Sequence, residues 1–352
     1  MASPVHPHQT CDGNWVWHRD AQRLTLDVEP GTPLADLRGS WSLDGLAAIL
    51  DGLSASRLHE SFETSDQIGV ACDLMLPDGR SLHLLGAFTE PAEARGLVFL
   101  DRFMGEDAAE LRDVPGPRLS PVYQPILSLH TGLTVGFEAF ARWEAEGGGT
   151  ASPHRFQDDG LASNMLLQAV DALAEWRRRA DRPDVFVQVN LSGRDLEIEG
   201  LADLVAALVQ GHGLPPGALK LELTEQAPLR DAAAALEAAR RLKAAGAGLV
   251  LDDFGTGHSS FAWLADLPAD SVKIDPTLTR DLDDPRRRAI LESVAALART
   301  LGLTSTAEGV ESLEAARTLQ AIGFDQVQGF AFARPMGRGD ALDFLRRDRR
   351  HV

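Results

Sequence analysis

Acidic and amide side chains, together with one lysine, follow one apolar run after another through the second half of this 352-residue chain. Each of them lies at or near the end of a predicted β-strand. They are Glu138 in GFEAFARW, Asn190 after VFVQV, Glu222 and Glu225 in LKLELTE, Asp252 and Asp253 after GLVL, Lys273 and Asp275 in SVKID, Glu308 in STAEGV and Gln328 in VQGF. A single strand-end carboxylate is more often a helix cap or a solvated group than a ligand. The recurrence at successive strand ends indicates a shared site.

Carboxylates gathered at one place would repel one another by several kcal/mol unless cations lay between them. Oxygen ligands without clustered His or Cys indicate Mg²⁺ or Mn²⁺ rather than zinc or copper. The adjacent Asp252 and Asp253 could serve two neighbouring metals, an arrangement that stabilises both the attacking and the leaving oxygen of a phosphoryl displacement. The pattern therefore predicts a metal-dependent site that acts on a phosphate ester.

The segments that must position these residues alternate between strand and helix patterns from Val122 onward. About eight β-rich runs with intervening helical runs over roughly 230 residues are what a (β/α)8 barrel requires. In such barrels the residues that do chemistry lie at the carboxyl ends of the strands. The predicted fold is therefore α/β, a TIM-like barrel over 119–352.

Residues 1–105 show a different pattern, in which short strands surround small helices. Two alternating runs flank the turn PDGR at 77–80, which predicts a β-hairpin. We expect an antiparallel sheet with helices on one side, and the order of its elements resembles a PAS sensor domain. A linker at 106–118, interrupted by two prolines and a glycine, separates the two predicted domains.

Composition argues against several classes of partner. The formal net charge of −18 opposes binding to nucleic-acid polymers and to anionic membrane surfaces. Cys11 and Cys72 form no ligand pattern and no disulfide framework, which is typical of a reducing compartment. No apolar run approaches the roughly 20 residues that span a bilayer, and the first residues lack a signal-peptide pattern. We therefore expect a cytoplasmic protein.

Eight ordered motifs of the second half resemble the EAL family of cyclic di-GMP phosphodiesterases. Between about Pro121 and Met336 they are YQPI, GFEAFARW, VNLS, LELTE, DDFGTGHSS, VKID, AEGVE and QGFAFARP. The resemblance implies an enzyme that binds cyclic di-GMP and opens it to linear pGpG. It also implies Mg²⁺ or Mn²⁺ as cofactor, with two ions per site, and a homodimer formed through the barrel.

The resemblance assigns roles to individual residues. The implied metal ligands are Glu138, Asn190, Glu222, Asp252, Asp253 and Glu308. The implied catalytic residues are Glu138, Asp253, Lys273 and Gln328, with Lys273 beside the attacking water. The implied substrate contacts are Arg142, Phe140 and Gln124. Glu225 would position the DDFGTG loop.

Three features depart from the family's pattern. Phe140 stands where leucine is usual, His258 stands where tyrosine is usual, and the segment after Phe156 is short. The implied metal ligands and the loop glutamate are nevertheless present, whereas inactive members generally lose them. The leading hypothesis is therefore an active phosphodiesterase regulated by an N-terminal sensory domain. The alternative is a catalytically inactive cyclic di-GMP receptor that signals through a protein partner.

Overall fold

A computed structural model describes most of the chain. The described residues are 12–63, 69–78, 80–90, 92–101, 118–145, 149–151, 161–198, 200–224, 232–255 and 264–347. They divide into two compact units. The first unit comprises Met1–Gly116, His154–Leu167 and Ile198–Gly211, and the second comprises Pro117–Pro153, Gln168–Glu197 and His212–Val352. Apart from its last residue, the predicted linker at 106–118 lies outside the described residues.

The first unit contains a six-stranded antiparallel sheet. Its strands are β1 (Gly13–His18), β2 (Arg23–Val28), β3 (Gly39–Trp41), β4 (Gly69–Met75), β5 (Ser81–Glu90) and β6 (Glu93–Asp101), in the spatial order β3-β2-β1-β6-β5-β4. Strands β4 and β5 pair antiparallel on either side of the PDGR turn. The predicted hairpin is therefore confirmed, while the assignment as a PAS-like domain stays a prediction.

Alternation along β1 builds the apolar core of this unit. Trp15 and Trp17 lie two residues apart, so both point to the same face of the sheet. Both rings pack against Phe62, at centroid distances of 5.2 and 5.4 Å. Phe62 belongs to helix α2 (Gly52–Glu63), which follows helix α1 (Leu43–Ala47). The buried cluster joins residues of these helices to those of the sheet, as the pattern predicted.

The second unit is built on a closed barrel of eight strands. The remaining strands in chain order are β7 (Arg118–Leu119), β8 (Val122–Ser128), β9 (Thr134–Phe140), β10 (Trp143–Ala145), β11 (Gly149–Ala151), β12 (Phe186–Leu191), β13 (Leu219–Thr224), β14 (Gly248–Phe254), β15 (Ser271–Ile274), β16 (Thr304–Ala307) and β17 (Gln326–Val327). The barrel order is β12-β13-β14-β15-β16-β17-β8-β9, and β11-β10-β7 form a small separate sheet. The predicted TIM-like barrel is confirmed.

One barrel strand runs opposite to the others. Strand β8 pairs antiparallel with both β9 and β17, whereas the other neighbours pair parallel. The link at 129–133 between β8 and β9 is too short for the crossover of roughly a dozen residues that a parallel pair needs. The barrel therefore begins with a hairpin, which an ideal (β/α)8 barrel lacks.

Helices occupy most of the links between the later strands. They are α3 (Leu161–Arg179), α4 (Leu201–Gly211), α5 (Ala232–Ala244), α6 (Pro276–Thr279), α7 (Pro285–Leu301), α8 (Leu313–Ile322) and α9 (Arg338–Arg346). No helix within the described ranges combines the length and the apolar character that a membrane span requires.

Helix α7 shows how the sequence sets the ends of these helices. Asp284 precedes it and accepts a hydrogen bond from the Arg286 backbone N–H, and Pro285 takes the first position, where a missing N–H costs nothing. Gly302 ends the helix at φ 73°, a left-handed conformation that glycine adopts without strain. The buried side chains between these ends include Leu291 and Val294.

Candidate active site

Predicted strand-end carboxylates converge on the buried ammonium of Lys273. Its Nζ lies 2.9 Å from Glu138 Oε2 and 2.9 Å from Glu222 Oε2. The same nitrogen lies 2.6 Å from Glu308 Oε1 and 3.7 Å from Asp252 Oδ1. These carboxylates belong to β9, to β13, to the residue after β16 and to β14. The fold therefore gathers four distant chain segments around one lysine.

The register of the barrel strands explains this convergence. Asn190 on β12 lies opposite Glu222 on β13, and Lys273 on β15 lies opposite Thr306 on β16. Alternate residues of a barrel strand point into the barrel, and parallel strands end at the same mouth. Side chains at matching registers near that mouth therefore meet in the interior, as the sequence analysis predicted for these positions.

Two amide side chains hold Glu138 in place, and a third amide bonds to one of them. Asn190 Nδ2 donates to Glu138 Oε1 at 2.9 Å, and Gln328 Nε2 donates to Glu138 Oε2 at 2.8 Å. Gln328 Nε2 also lies 3.1 Å from Gln124 Oε1, and Gln124 Nε2 donates to the backbone oxygen of Ala333 at 3.1 Å. Both oxygens of Glu138 are thus hydrogen-bonded, and the predicted Gln328 and Gln124 belong to the same network.

A β-bulge brings two consecutive carboxylates into this region. The register between β14 and β15 shifts between Leu251 and Phe254, and Asp253 has φ 56°, in the left-handed region. A bulge breaks the strict alternation of side chains along a strand, and aspartate tolerates the left-handed conformation better than most residues. Burial and then the charge of Asp252 raise the pKa of Asp253. The two aspartates therefore interact as near neighbours.

Negative charge exceeds positive charge among the described groups of the cluster. Burial raises the pKa of Glu222, and the charge of Glu138 raises it further. Burial also raises the pKa of Asp252, and it raises the pKa of Glu308 to about 8. The attraction of Lys273 opposes each of these shifts without cancelling them. A further cation would therefore stabilise the ionised cluster.

The pKa shifts of Glu138 and Lys273 instead favour the charged form of each group. Burial opposes ionisation of Glu138, but the charge of Lys273 and the hydrogen bonds from Asn190 and Gln328 outweigh it, so the pKa of Glu138 lies below its ordinary value. Burial likewise disfavours the ammonium of Lys273, but the surrounding carboxylates raise its pKa well above the ordinary range. These two groups form the ionised centre of the cluster.

The donor set fits a hard divalent cation. Within the described part of the chain, Glu222 Oε1 and Asp252 Oδ1 are buried at this site without a hydrogen-bond partner. No three His, Cys, Asp or Glu side chains of the described residues are arranged as a ligand set, and three of the carboxylates bond to Lys273 instead. Oxygen donors in excess of the available positive charge suit Mg²⁺ or Mn²⁺.

Arg142 and Phe140 pair with each other. The guanidinium carbon of Arg142 lies 5.9 Å from the centroid of the Phe140 ring, and Arg142 Nη1 donates to the backbone oxygen of Ala141 at 2.8 Å. Phe140 follows Glu138 by two positions on β9, and both Phe140 and Arg142 are partly buried. Phe140 and Arg142 therefore follow Glu138 closely along the chain. The hydrogen bond described for the Arg142 side chain is to a backbone oxygen.

Other predicted positions are not among the described partners of Lys273. Glu225, His258 and the segment after Phe156 fall outside the described residues. Asp275, which also ends a strand, accepts a hydrogen bond from the Thr277 backbone N–H at 2.7 Å and so caps helix α6. Asp275 therefore caps a helix, as a lone strand-end carboxylate often does. After burial and the charge of Asp252, its charge also raises the pKa of Asp253.

One interior residue was missed by the sequence analysis. Gln188 on β12 is fully buried, and neither atom of its amide group has a hydrogen-bond partner. The signal was present in FVQVNL, where Phe186, Gln188 and Asn190 alternate with valines and therefore share a face of β12.

The chain matches a family model and several curated proteins. The family model described as "EAL domain" matches residues 109–335. The cyclic di-GMP phosphodiesterase PA2567 of Pseudomonas aeruginosa is 34% identical over 235 residues, which are 64% of this chain and 40% of that protein. The chain spans only 36%, 28% and 40% of the first three curated relatives that it matches.

Two solved structures share the fold. The PaMucR phosphodiesterase in complex with c-di-GMP is 35% identical, with a TM-score of 0.56, over 67% of this chain and 96% of that chain. The Klebsiella pneumoniae protein BlrP1, in a manganese and cy-diGMP complex, is 28% identical, with a TM-score of 0.55, over 64% of this chain and 58% of that chain.

Proposed function

The chain belongs to the EAL domain family, and we propose on that basis that it hydrolyses cyclic di-GMP to linear pGpG in a metal-dependent reaction. The observation that carries the proposal is the convergence of Glu138, Glu222, Asp252 and Glu308 on Lys273. The cyclic di-GMP complex of the PaMucR phosphodiesterase supports the substrate, and the manganese complex of BlrP1 supports the cofactor.

The proposed cofactor is a pair of Mg²⁺ or Mn²⁺ ions. The proposed ligands are Glu138, Asn190, Glu222, Asp252, Asp253 and Glu308. When bound, such ions would polarise the phosphodiester and lower the pKa of a coordinated water. One oxygen each of Glu222 and Asp252 is buried without a hydrogen bond, and this together with the excess negative charge supports the assignment.

In the proposed reaction Lys273 stabilises developing charge, and the amide side chains around Glu138 orient that carboxylate. The Lys273 ammonium offsets the negative charge that develops as phosphorus becomes five-coordinate. Asn190 and Gln328 hold the two oxygens of Glu138, so this carboxylate is oriented before substrate arrives. Gln124 is anchored to the Ala333 backbone and in turn holds Gln328. Little reorganisation is then needed during the reaction.

Arg142, Phe140 and Gln124 are the proposed substrate contacts. The Phe140 ring limits the positions open to the Arg142 side chain, because a guanidinium is attracted to an aromatic face. A pre-oriented guanidinium suits a phosphate oxygen, since its fork of N–H donors matches that geometry.

The proposal also covers the cellular location, the oligomeric state and the regulation of the enzyme. We infer a cytoplasmic homodimer that associates through the barrel, with the 119–352 barrel controlled by a PAS-like sensory domain at 1–105. Support comes from the separate apolar core of the antiparallel sheet and from the family resemblance of the barrel. The net charge of −18 disfavours a nucleic-acid polymer or an anionic membrane as partner.

The test is a nucleotide assay on the purified full chain. Cyclic di-GMP is incubated with Mn²⁺ or with EDTA, and pGpG is quantified by chromatography. We expect product with Mn²⁺ alone, and none from Glu138→Gln, which keeps the shape of the side chain but removes its charge. Tight nucleotide binding without product would establish the receptor alternative. Absence of both binding and product would overturn both functions.

A further inference from the structure

Gln188 places an unsatisfied amide group in the barrel interior. The side chain is fully buried, and neither Nε2 nor Oε1 has a hydrogen-bond partner. Burying an amide without partners costs free energy, and barrel interiors are usually filled by branched apolar side chains that avoid this cost. An apolar residue at this position would therefore favour the fold. The presence of glutamine indicates a requirement outside folding.

The register of β12 places Gln188 among the residues of the carboxylate cluster. Gln188 lies opposite Glu138 on β9 and opposite Lys220 on β13. Two positions further along the same face of β12, Asn190 lies opposite Glu222. Gln188 therefore belongs to the strand face that lies between two of the proposed metal ligands.

Glu222 has an open acceptor on the adjacent strand. Its Oε2 accepts from Lys273 Nζ at 2.9 Å, whereas its Oε1 is buried without a partner. Glu138, on the other neighbouring strand, has both oxygens hydrogen-bonded, to Asn190 and to Gln328 and Lys273. Of these two carboxylates, only Glu222 has an oxygen that accepts no hydrogen bond.

The charges along β13 favour one orientation of the amide. Lys220 lies beside Gln188, and Glu222 lies two residues further along the same face of β13. The ammonium of Lys220 lies 3.8 Å from the centroid of the Phe186 ring, two residues before Gln188 on the same strand face. A positive charge on that side favours the amide oxygen, and the carboxylate of Glu222 on the other side favours the amide nitrogen. Such a charge distribution would favour an amide whose N–H donors face Glu222.

We propose that Gln188 is a positioning residue for Glu222. Its Nε2 donates to Glu222 Oε1 when the carboxylates turn from Lys273 to hold a divalent cation, and this bond orients the carboxylate as a ligand. The inference rests on the proposed metal dependence of the site. Hydrogen bonds of this kind from outside the ligand set typically change metal affinity by roughly 10- to 100-fold.

The test compares the full chain with its Gln188→Met variant, which keeps a similar volume but has no amide. In EDTA, the variant should unfold at a higher urea concentration than the wild type, because two unpartnered groups are gone. Calorimetric titration should show that it binds Mn²⁺ about tenfold more weakly or worse. With cyclic di-GMP, kcat should fall while KM stays within about twofold. A purely structural role for Gln188 would not predict a higher urea midpoint together with weaker Mn²⁺ binding.

Ser163→Ala is the matched control. Ser163 on α3 is also fully buried, and its Oγ has no hydrogen-bond partner. Its removal should leave Mn²⁺ affinity unchanged. Gln188→Leu replaces the methionine variant if the latter does not fold.

The outcomes separate this inference from the proposed reaction. Unchanged Mn²⁺ affinity in the Gln188 variant would overturn the inference, as would a lower urea midpoint in EDTA or a wild-type chain that binds no Mn²⁺. If the wild type binds Mn²⁺ but releases no pGpG, the proposed reaction fails, and weakened Mn²⁺ binding by the variant still supports the role of Gln188.

Discussion

Replacing Lys273 by methionine removes the positive centre of the carboxylate cluster while keeping a side chain of similar length. Three carboxylate oxygens within 2.9 Å of Nζ each lose a hydrogen-bond donor, and Asp252 loses a cation 3.7 Å away. Removing one partner of a buried ion pair usually costs about 3–5 kcal/mol of folding free energy. We expect Lys273→Met to destabilise the metal-free protein within that range.

Protonation of the carboxylates limits this loss. A carboxylate with an ordinary pKa of 4.5 accepts a proton at pH 7 at a cost of about 3.4 kcal/mol, since each pH unit corresponds to about 1.4 kcal/mol. The expected loss at pH 7 is therefore about 3 kcal/mol. In the variant the folded-state pKa of Glu138 rises above its unfolded value, so stability is lost as pH increases. The difference from wild type should shrink by about 1.4 kcal/mol for each pH unit below 7.

A divalent cation should increase the folding stability of the Lys273→Met variant more than that of the wild type. In the wild type, a divalent cation competes with Lys273 for the oxygens of Glu138, Glu222 and Glu308. In the variant, the cation supplies the missing charge without a competitor. A ligand at 100 times its Kd stabilises the folded state by about 2.7 kcal/mol. Turnover should nevertheless fall much more than nucleotide affinity, because the ammonium matters most in the transition state.

The assay is urea denaturation at pH 5, 6 and 7 in EDTA and in Mn²⁺, alongside pGpG release. Lys243→Met is the control, because Lys243 pairs with Asp270 at a partly exposed position where an ion pair contributes at most about 1 kcal/mol. The reasoning is refuted if Lys273→Met unfolds at the wild-type midpoint at pH 7. It is also refuted if Mn²⁺ stabilises the variant less than it stabilises the wild type.

Three further predictions follow from the site. Glu138→Ala should abolish pGpG release, because it removes a proposed metal ligand; near-normal turnover would contradict the assignment. Phe140→Leu should raise KM about two- to fivefold with kcat unchanged, since it removes a ring contact to Arg142 worth about 0.5–1 kcal/mol; a fall in kcat alone in steady-state kinetics would argue against it. The metal-free protein should lose stability between pH 4.5 and 8, because burial raises the folded-state pKa of Glu308 from 4.5 to about 8. This contribution is full below pH 4.5 and decreases by up to about 1.4 kcal/mol per pH unit above it; urea midpoints that rise with pH in EDTA would contradict this.

The amino-acid sequence determined the barrel and most of the candidate site residues. Strand and helix periodicities are local properties of the chain, so alternating runs from Val122 onward predict a TIM-like barrel before any contact is known. Parallel strands end at a common mouth, so strand-end positions such as Glu138, Glu222 and Asp252 could be selected from their place in the pattern. The same pattern also selected Asp275, because a strand end does not distinguish a ligand from a helix cap.

Only the tertiary structure decided how these residues meet. The position of Lys273 at the centre of the cluster depends on the register between neighbouring strands, which no local pattern encodes. The bulge at Asp252 and Asp253 is a pairing defect between β14 and β15, so it exists only once the strands are paired. The pattern around Gln188 predicts only a buried strand, and the lack of a hydrogen-bond partner for its amide is a property of the folded structure. Hydrogen-bond satisfaction and charge balance are properties of groups brought together across the chain, and for that reason they required the folded structure.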